Sequence, residues 1–148
     1  YMVSNLKKWL DETLYGYLPD KVKNQIAHKR MLLEQRYSSA GALTDSTSWG
    51  WQDLGALWVP LEYEVFGAIV WGTPGWSEGQ AVQYPIFANT YLSRIKGAGN
   101  GGSRCHWWLA SVRSGNSATA CNVGSNGTAY CWYASLSNRV PVCFRITA

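Results

Sequence analysis

The sequence predicts an α+β fold, with helices in the first two thirds of the chain and a mainly antiparallel sheet at the C-terminal end. Apolar residues recur at helical spacing up to Lys96, whereas short strand-like segments divided by glycine-rich turns follow it. The length of 148 residues suits one domain with its own hydrophobic core. We therefore expect a single domain over residues 1–148, and because the chain begins at Tyr1 we expect it to be the C-terminal part of a longer protein.

Local signals mark the helices. Ser4 can cap a first helix, and Pro19 suits the first turn of a second one. Pro85 can open another, and Gly67 can close a short helix after Pro60. Glu62 and Glu64 are then interpreted as a solvated helix start and not as a catalytic pair. The predicted helices cover residues 4–16, 19–27, 61–66 and 85–95.

Strand signals are weaker before Lys96 than after it. Residues 29–37 are predicted as strand, residues 38–55 as a loop or hairpin held by Trp49 and Trp51, and residues 56–59 as a short buried strand. Asn126-Gly127 is a strong β-hairpin signal between two of the later strands. The predicted C-terminal strands cover residues 107–111, 118–123, 128–133 and 140–146.

Charge is distributed unevenly along the chain. Residues 1–78 hold all nine carboxylates and seven basic residues, whereas residues 79–148 hold six basic residues and no carboxylate. Those six occur singly among small polar residues, without the stripe typical of nucleic-acid binding, so we expect no nucleic-acid partner. No window is long and apolar enough for a membrane span, and no signal peptide is visible, so we expect no membrane insertion.

The residues that chemistry requires are scarce. His106 is the one imidazole in the C-terminal half, and its neighbour Cys105 would point to the opposite side of a strand, which argues against a thiolate–imidazole pair. The spacing of the four cysteines matches no zinc pattern, and Ca²⁺ would lack carboxylate ligands after Gly79. We expect no enzyme activity, no metal and no cofactor, and three disulfide connectivities stay open.

Residues 113–138 mix Ser, Asn, Thr and Gly with single Cys, Tyr and Trp residues. This composition is typical of binding surfaces, in which small groups supply adaptable hydrogen bonds and rings supply contact area. The alternative interpretation is an exposed Ser- and Asn-rich hairpin with two or three aromatic residues in the core.

Several motifs carry a resemblance. They are Trp-Trp-Leu-Ala-Ser at 107–111, Asn-Val-Gly-Ser-Asn-Gly at 122–127, Arg-Val-Pro-Val-Cys-Phe-Arg-Ile at 139–146, Ser-Asn-Leu-Lys-Lys-Trp-Leu at 4–10, Gln-Tyr-Pro at 83–85 and Arg-Ile-Lys at 94–96. Together they resemble C-type-lectin-fold domains of gut bacteria and their phages. That group is similar to the formylglycine-generating-enzyme type and includes the variable proteins of diversity-generating retroelements, in which codons near the C-terminus are rewritten on a rigid scaffold.

The resemblance implies a C-type lectin fold and a non-enzymatic receptor-binding or surface-display domain, on a phage tail or a cell surface. It implies a protein or glycan receptor on a host or target cell as partner, an oligomer as an option, and residues 104–138 as the variable region. The alternatives are a thiol-dependent enzyme of the formylglycine-generating type and a fixed structural domain. The expected ligand-binding residues are Arg104, His106, Arg113, Asn116, Ser117, Thr119, Cys121, Tyr130, Trp132, Tyr133, Ser135 and Asn138, with Trp132 and Tyr133 as the main anchors.

Overall fold

The computed structural model describes residues 1–2, 4–34, 49–74, 81–99, 101–116 and 118–147. Within these ranges the fold mixes short helices with antiparallel strand pairs. The helices are α1 (Asn5–Lys8), α2 (Asp20–Lys23), α3 (Glu62–Phe66) and α4 (Pro85–Ala88). The strands are β1 (Ile26–Ala27), β2 (Arg30–Glu34), β3 (Trp49–Asp53), β4 (Lys96–Gly97), β5 (Arg104–Cys105), β6 (Trp107–Val112), β7 (Thr119–Val123), β8 (Ala129–Tyr133) and β9 (Arg145–Ile146). None of the helices in this described part has the length and apolar character needed to cross a membrane.

The first predicted helix is confirmed. The Ser4 hydroxyl accepts a hydrogen bond from the Lys7 amide at 3.1 Å, which satisfies one of the free amides at the helix start. After α1 the helical path continues as a π-helical segment, Trp9–Leu14, and a 3₁₀ turn, Tyr15–Tyr17. Leu10 is fully buried and anchors this segment to the rest of the molecule.

Two predicted helices are shorter than expected. Helix α2 ends before residue 24 because the chain then forms β1, which pairs antiparallel with β9. Ile26 lies opposite Ile146, and Ala27 lies opposite Arg145. Helix α4 ends at Ala88 because Thr90 is extended, and its hydroxyl caps a separate 3₁₀ turn that follows. The prediction of continuous helices over residues 19–27 and 85–95 was therefore wrong in its second half.

The predicted short helix after Pro60 is confirmed as α3. Gly67 ends it with φ of 69°, in the left-handed region that glycine adopts most easily. At the other end, the Glu64 carboxylate accepts the Leu61 amide at 2.9 Å. Glu62 and Glu64 are both buried, so their interpretation as a solvated helix start was wrong.

The middle of the chain contains a hairpin. Strand β2 pairs antiparallel with β3. The strand predicted over residues 29–37 is therefore confirmed for Arg30–Glu34. The prediction of a loop or hairpin over residues 38–55 is confirmed as a hairpin strand at Trp49–Asp53. Residues 35–48 lie outside the described part of the chain. Residues 56–59 are buried as expected but do not form a strand, since Trp58 makes only an isolated bridge to Cys143.

The C-terminal sheet has β7 between β6 and β8, all antiparallel, which confirms three of the predicted strands. The fourth, predicted over 140–146, is reduced to the bridge at Cys143 and to β9. One face of this sheet packs on a hydrophobic core; the buried residues there are Val65, Phe87, Trp107, Leu109, Cys121 and Val123. A second core lies between the β2–β3 hairpin and the segment before α3; its buried members are Met31, Leu33, Leu54, Trp58, Val59, Leu61 and Ala110.

The predicted β7–β8 hairpin is confirmed, and its turn requires glycine. Gly127 has φ of 84°, and a Cβ there would lie 2.7 Å from the Tyr91 carbonyl oxygen.

We expect Gly127→Ala to lower the free energy of unfolding by about 2–3 kcal/mol, from backbone strain and from this clash together. Gly115→Ala is the matched control, because Gly115 also has positive φ but open space around it. Urea titration should show a loss of only about 1 kcal/mol for the control; equal losses would contradict the clash.

Candidate ligand-binding face

The three-stranded sheet has two faces of different character. Neighbouring residues of a strand point to opposite faces. Trp107 is fully buried in the core, so Trp108 points away from it. The register places Trp108 opposite Asn122, and Asn122 opposite Tyr130, so these three residues lie in one row across the outer face.

Three rings on this outer face form what we call the aromatic platform: His106, Tyr130 and Trp132. The ring centroids of His106 and Trp132 are 4.6 Å apart, those of His106 and Tyr130 5.8 Å, and those of Tyr130 and Trp132 6.1 Å. The rings meet edge to face, at interplanar angles between 64° and 76°. This is a favoured arrangement for aromatic pairs, so each ring holds the others in place. Tyr130 keeps 48% of its surface exposed, which leaves it available for contact.

One buried amide group lies next to the platform histidine, and a second belongs to the residue before Arg139, which is hydrogen-bonded to the backbone of that histidine. Asn122 is fully buried, and its Nδ2 lies 3.5 Å from His106 Nδ1. Its Oδ1 has no hydrogen-bond partner among the described residues, and the same holds for Nδ2 of Asn138. Asn138 precedes Arg139, whose amide donates to the His106 carbonyl at 3.0 Å. Polar groups without partners are rare in protein interiors, so they mark this region as unusual for a purely structural sheet.

A tryptophan from the segment after α3 braces the edge of the sheet. Trp71 donates from Nε1 to the Ala129 carbonyl at 3.3 Å and accepts the Ser114 amide at 2.9 Å. The Arg113 guanidinium lies 5.2 Å from the centre of the Trp71 ring, a cation–π contact. The backbone around Trp71 is held by the buried carboxylate of Glu62, which accepts its amide at 3.0 Å. Helix α3 thus supports the edge strand β8, which carries two of the three platform residues.

The structure brings together only some of the predicted site residues. His106, Tyr130 and Trp132 form the platform, whereas the Arg113 side chain lies over the Trp71 ring and its backbone pairs with Gly72. Arg104, Asn116, Ser135 and Asn138 lie on other strands or turns, and Ser117 lies outside the described part of the chain.

Three of the expected contacts need correction. Thr119 and Cys121 are buried on the core face of β7, so their side chains do not reach an outside ligand. Tyr133 is exposed but follows Trp132 on β8 and therefore points to the opposite face. Trp132 and Tyr133 cannot both contact one ligand on the platform, and Tyr130 takes the place of Tyr133 beside Trp132.

Trp71, Trp108 and Asn122 were missed as site residues. The pair Trp107-Trp108 contained a usable signal, because one of two adjacent strand residues must point outward when the other is buried. Trp71 gave no such signal, since its contact with Ala129 spans 58 residues of sequence.

Cys121 and Cys143 lack the lowered pKa of a catalytic thiol. Burial raises the pKa of the Cys143 thiol to about 11 and raises that of Cys121 further, so both stay protonated at neutral pH. Among the described residues, no group of three or more His, Cys, Asp or Glu side chains is arranged to hold a metal ion.

A cavity of about 260 Å³ lies beside α3, away from the platform. Its wall includes Lys29, whose ammonium group forms an ion pair with Glu64 and donates to the Tyr84 hydroxyl at 2.8 Å. The same ammonium lies 5.0 Å from the centre of the Trp58 ring. These contacts satisfy the buried charges, so the cluster is explained by stability without a ligand.

A family model described as "Domain of unknown function (DUF6273)" matches residues 1–148, the whole chain. No curated protein and no solved structure matches the chain.

Proposed function

Since the chain belongs to the DUF6273 family, a family of domains of unknown function, we propose its function from the site itself: a non-enzymatic domain that binds a receptor through the aromatic platform. The observation that carries the proposal is the cluster of His106, Tyr130 and Trp132 on the sheet face that does not pack on the core. Rings that stay partly exposed while holding one another rigid are typical hot spots of binding interfaces, because little entropy is lost when a partner covers them.

Charge supports the same proposal. The sequence from residue 79 onward, which includes every platform residue, has no carboxylate. A site without carboxylates lacks the ligands that Ca²⁺ usually takes, whereas it suits contacts with neutral or weakly acidic surfaces. The raised pKa values of Cys121 and Cys143 also count against the thiol-enzyme alternative.

We further propose that the domain has the C-type lectin fold and is similar to the variable proteins of diversity-generating retroelements. Its partner is then a protein or glycan on a host or target cell, and its place is a phage tail or a cell surface. The mixed α and β architecture and the position of two platform residues on β8 are compatible with this proposal. Sequencing the gene from a population tests it: substitutions concentrated at 104–138 support diversification, and an even spread contradicts it.

The binding proposal has a direct test. The labelled full chain is applied to a glycan array and to a panel of intact bacterial cells, and each hit is titrated with variants. Tyr130→Ala and Trp132→Ala are expected to weaken binding at least about 30-fold, as hot-spot residues do. Unchanged melting temperatures would show that the variants stay folded.

Two controls make this test specific to one face. Tyr133→Ala removes a ring that is 59% exposed on the same strand but on the opposite face, and Tyr17→Ala removes an 81% exposed ring from the N-terminal helical segment. Both should bind like the unmodified chain. Loss of binding with Tyr133→Ala alone would move the site to the other face, and a lack of any hit would favour a fixed structural domain.

A further inference from the structure

Two cysteines face each other across the hairpin behind the platform. The register pairs Cys121 of β7 directly with Cys131 of β8. Both are thiols in the structure, and both lie on the core side of the sheet, the face opposite to Tyr130 and Trp132. Cys121 is fully buried, whereas Cys131 is partly exposed.

The hydrogen bonds of the hairpin determine how close this pair is. The Gly124 amide donates to the Thr128 carbonyl at 2.8 Å, and the Ala134 amide donates to the Ala118 carbonyl at 3.0 Å. Hydrogen-bonded pairs alternate with non-hydrogen-bonded pairs along an antiparallel ladder. The pairs 124–128 and 118–134 are hydrogen-bonded, so the pairs 122–130 and 120–132 are hydrogen-bonded as well. Cys121 and Cys131 lie between these last two pairs and therefore form a non-hydrogen-bonded pair.

That position suits a covalent link. Residues of a non-hydrogen-bonded pair have Cα atoms about 4.5 Å apart and side chains that lie closer than in the hydrogen-bonded pairs. A disulfide needs Cα atoms roughly 4.4–6.8 Å apart. The two remaining thiols lie on other elements. Cys105 donates to the Lys96 carbonyl on β4, and the backbone of Cys143 forms an isolated β-bridge with that of Trp58.

We propose that Cys121 and Cys131 are a redox modification site, where a low-molecular-weight disulfide such as glutathione disulfide forms a cross-strand disulfide. The Cys131 thiolate attacks one sulfur of the oxidant, breaks its S–S bond and releases one glutathione thiolate. Cys121 loses its proton as its sulfur attacks Cys131 in the mixed disulfide, forms the Cys121–Cys131 bond and releases the second glutathione. Two protein thiols are oxidised, one disulfide is reduced to two thiols, and two protons leave the cysteines.

This link would hold β7 and β8 in register directly behind the platform. In the unfolded chain, the disulfide closes a loop over residues 121–131 and so lowers the conformational entropy of that state. The folded state is stabilised as a result. The oxidised chain is expected to melt about 5–10 °C higher than the reduced chain, and a thiol reductant should reverse the shift.

Peptide mapping tests the pairing without knowledge of any ligand. The folded full chain is incubated with glutathione disulfide, its remaining thiols are alkylated, and trypsin is added. Cys121 and Cys131 share the tryptic peptide 114–139, whereas Cys105 and Cys143 fall in peptides 105–113 and 140–145. We expect peptide 114–139 to be unalkylated and lighter by two hydrogen atoms, with the other two peptides alkylated.

Variants separate this pairing from other oxidation products. Cys105→Ser should leave the result unchanged, whereas Cys131→Ser should leave Cys121 reduced and remove the rise in melting temperature. Oxidation in concentrated urea should give mixed pairings, because the register is then lost. Three results after oxidation of the folded chain would overturn the proposal. Peptide 114–139 could have both cysteines alkylated, it could carry glutathione, or it could be linked to peptide 105–113 or 140–145.

Discussion

Replacing Glu62 with Ala is expected to lower the free energy of unfolding by about 3–5 kcal/mol. The Glu62 side chain is fully buried, and its carboxylate accepts the backbone amides of Val70, Trp71 and Gly72 at distances of 2.8 to 3.2 Å. Alanine would leave all three amides without this acceptor, and each unsatisfied buried amide costs roughly 1–3 kcal/mol. Urea titration followed by circular dichroism measures the loss.

Two further variants test whether the carboxylate is the cause. Glu62→Gln keeps the volume and one acceptor oxygen but turns an NH₂ group toward amide donors, so we expect a loss between those of the unmodified chain and Glu62→Ala. Glu12→Ala removes a carboxylate that is 65% exposed beside Lys8 and should change stability by less than about 0.5 kcal/mol. Similar losses for Glu62→Ala and Glu12→Ala would show that the buried contacts contribute nothing.

The loop that Glu62 holds also positions Trp71 against the edge of β8. Even the Glu62→Gln variant should therefore loosen the edge of the platform. Hydrogen exchange at the β8 amides, compared between this variant and Glu12→Ala, measures that effect. Faster exchange confined to β8 and residues 70–72 is the expected pattern.

Glu62 also shows where prediction from sequence ends. The helix boundaries at Ser4 and Gly67 and the hairpin at Gly127 were predicted because each depends on a side chain or a dihedral angle within a few residues. The burial of Glu62 depends on amides 8 to 10 residues away, in a segment that carries no periodic pattern. A carboxylate next to a helix start looks the same in sequence whether it meets water or a buried loop.

Composition predicted which segment carries the candidate site, but it did not predict on which face of the sheet each side chain lies. Composition identified residues 113–138, which include Tyr130 and Trp132, as a surface rich in rings and small polar groups, whereas His106 was expected only from the resemblance, which gave residues 104–138. The alternation along β8 separates Trp132 from Tyr133, yet sequence alone does not say which of the two faces the core. That choice is made by the core residues packed under β7, chiefly Trp107 and the residues around it.

Replacing Lys29 with Met is expected to lower the free energy of unfolding by about 3 kcal/mol. The Lys29 ammonium is the ion-pair partner of Glu64, whose side chain is 4% exposed, and it also donates to Tyr84. Methionine keeps the apolar stem against the Trp58 ring but removes the positive charge, so the Glu64 carboxylate stays buried without its cation. Lys21→Met, at an exposed position of α2, is the matched control and should change stability by less than about 0.5 kcal/mol.

A double variant distinguishes the lost ion pair from lost packing. In Lys29→Met with Glu64→Gln, no uncompensated charge stays in the interior, while the amide oxygen can still accept the Leu61 amide that Glu64 now accepts. We expect the double variant to be more stable than Lys29→Met alone, because the penalty of breaking a buried pair comes mainly from the charge left behind. A double variant that is less stable than Lys29→Met would instead assign the effect to packing around the Trp58 and Tyr84 rings.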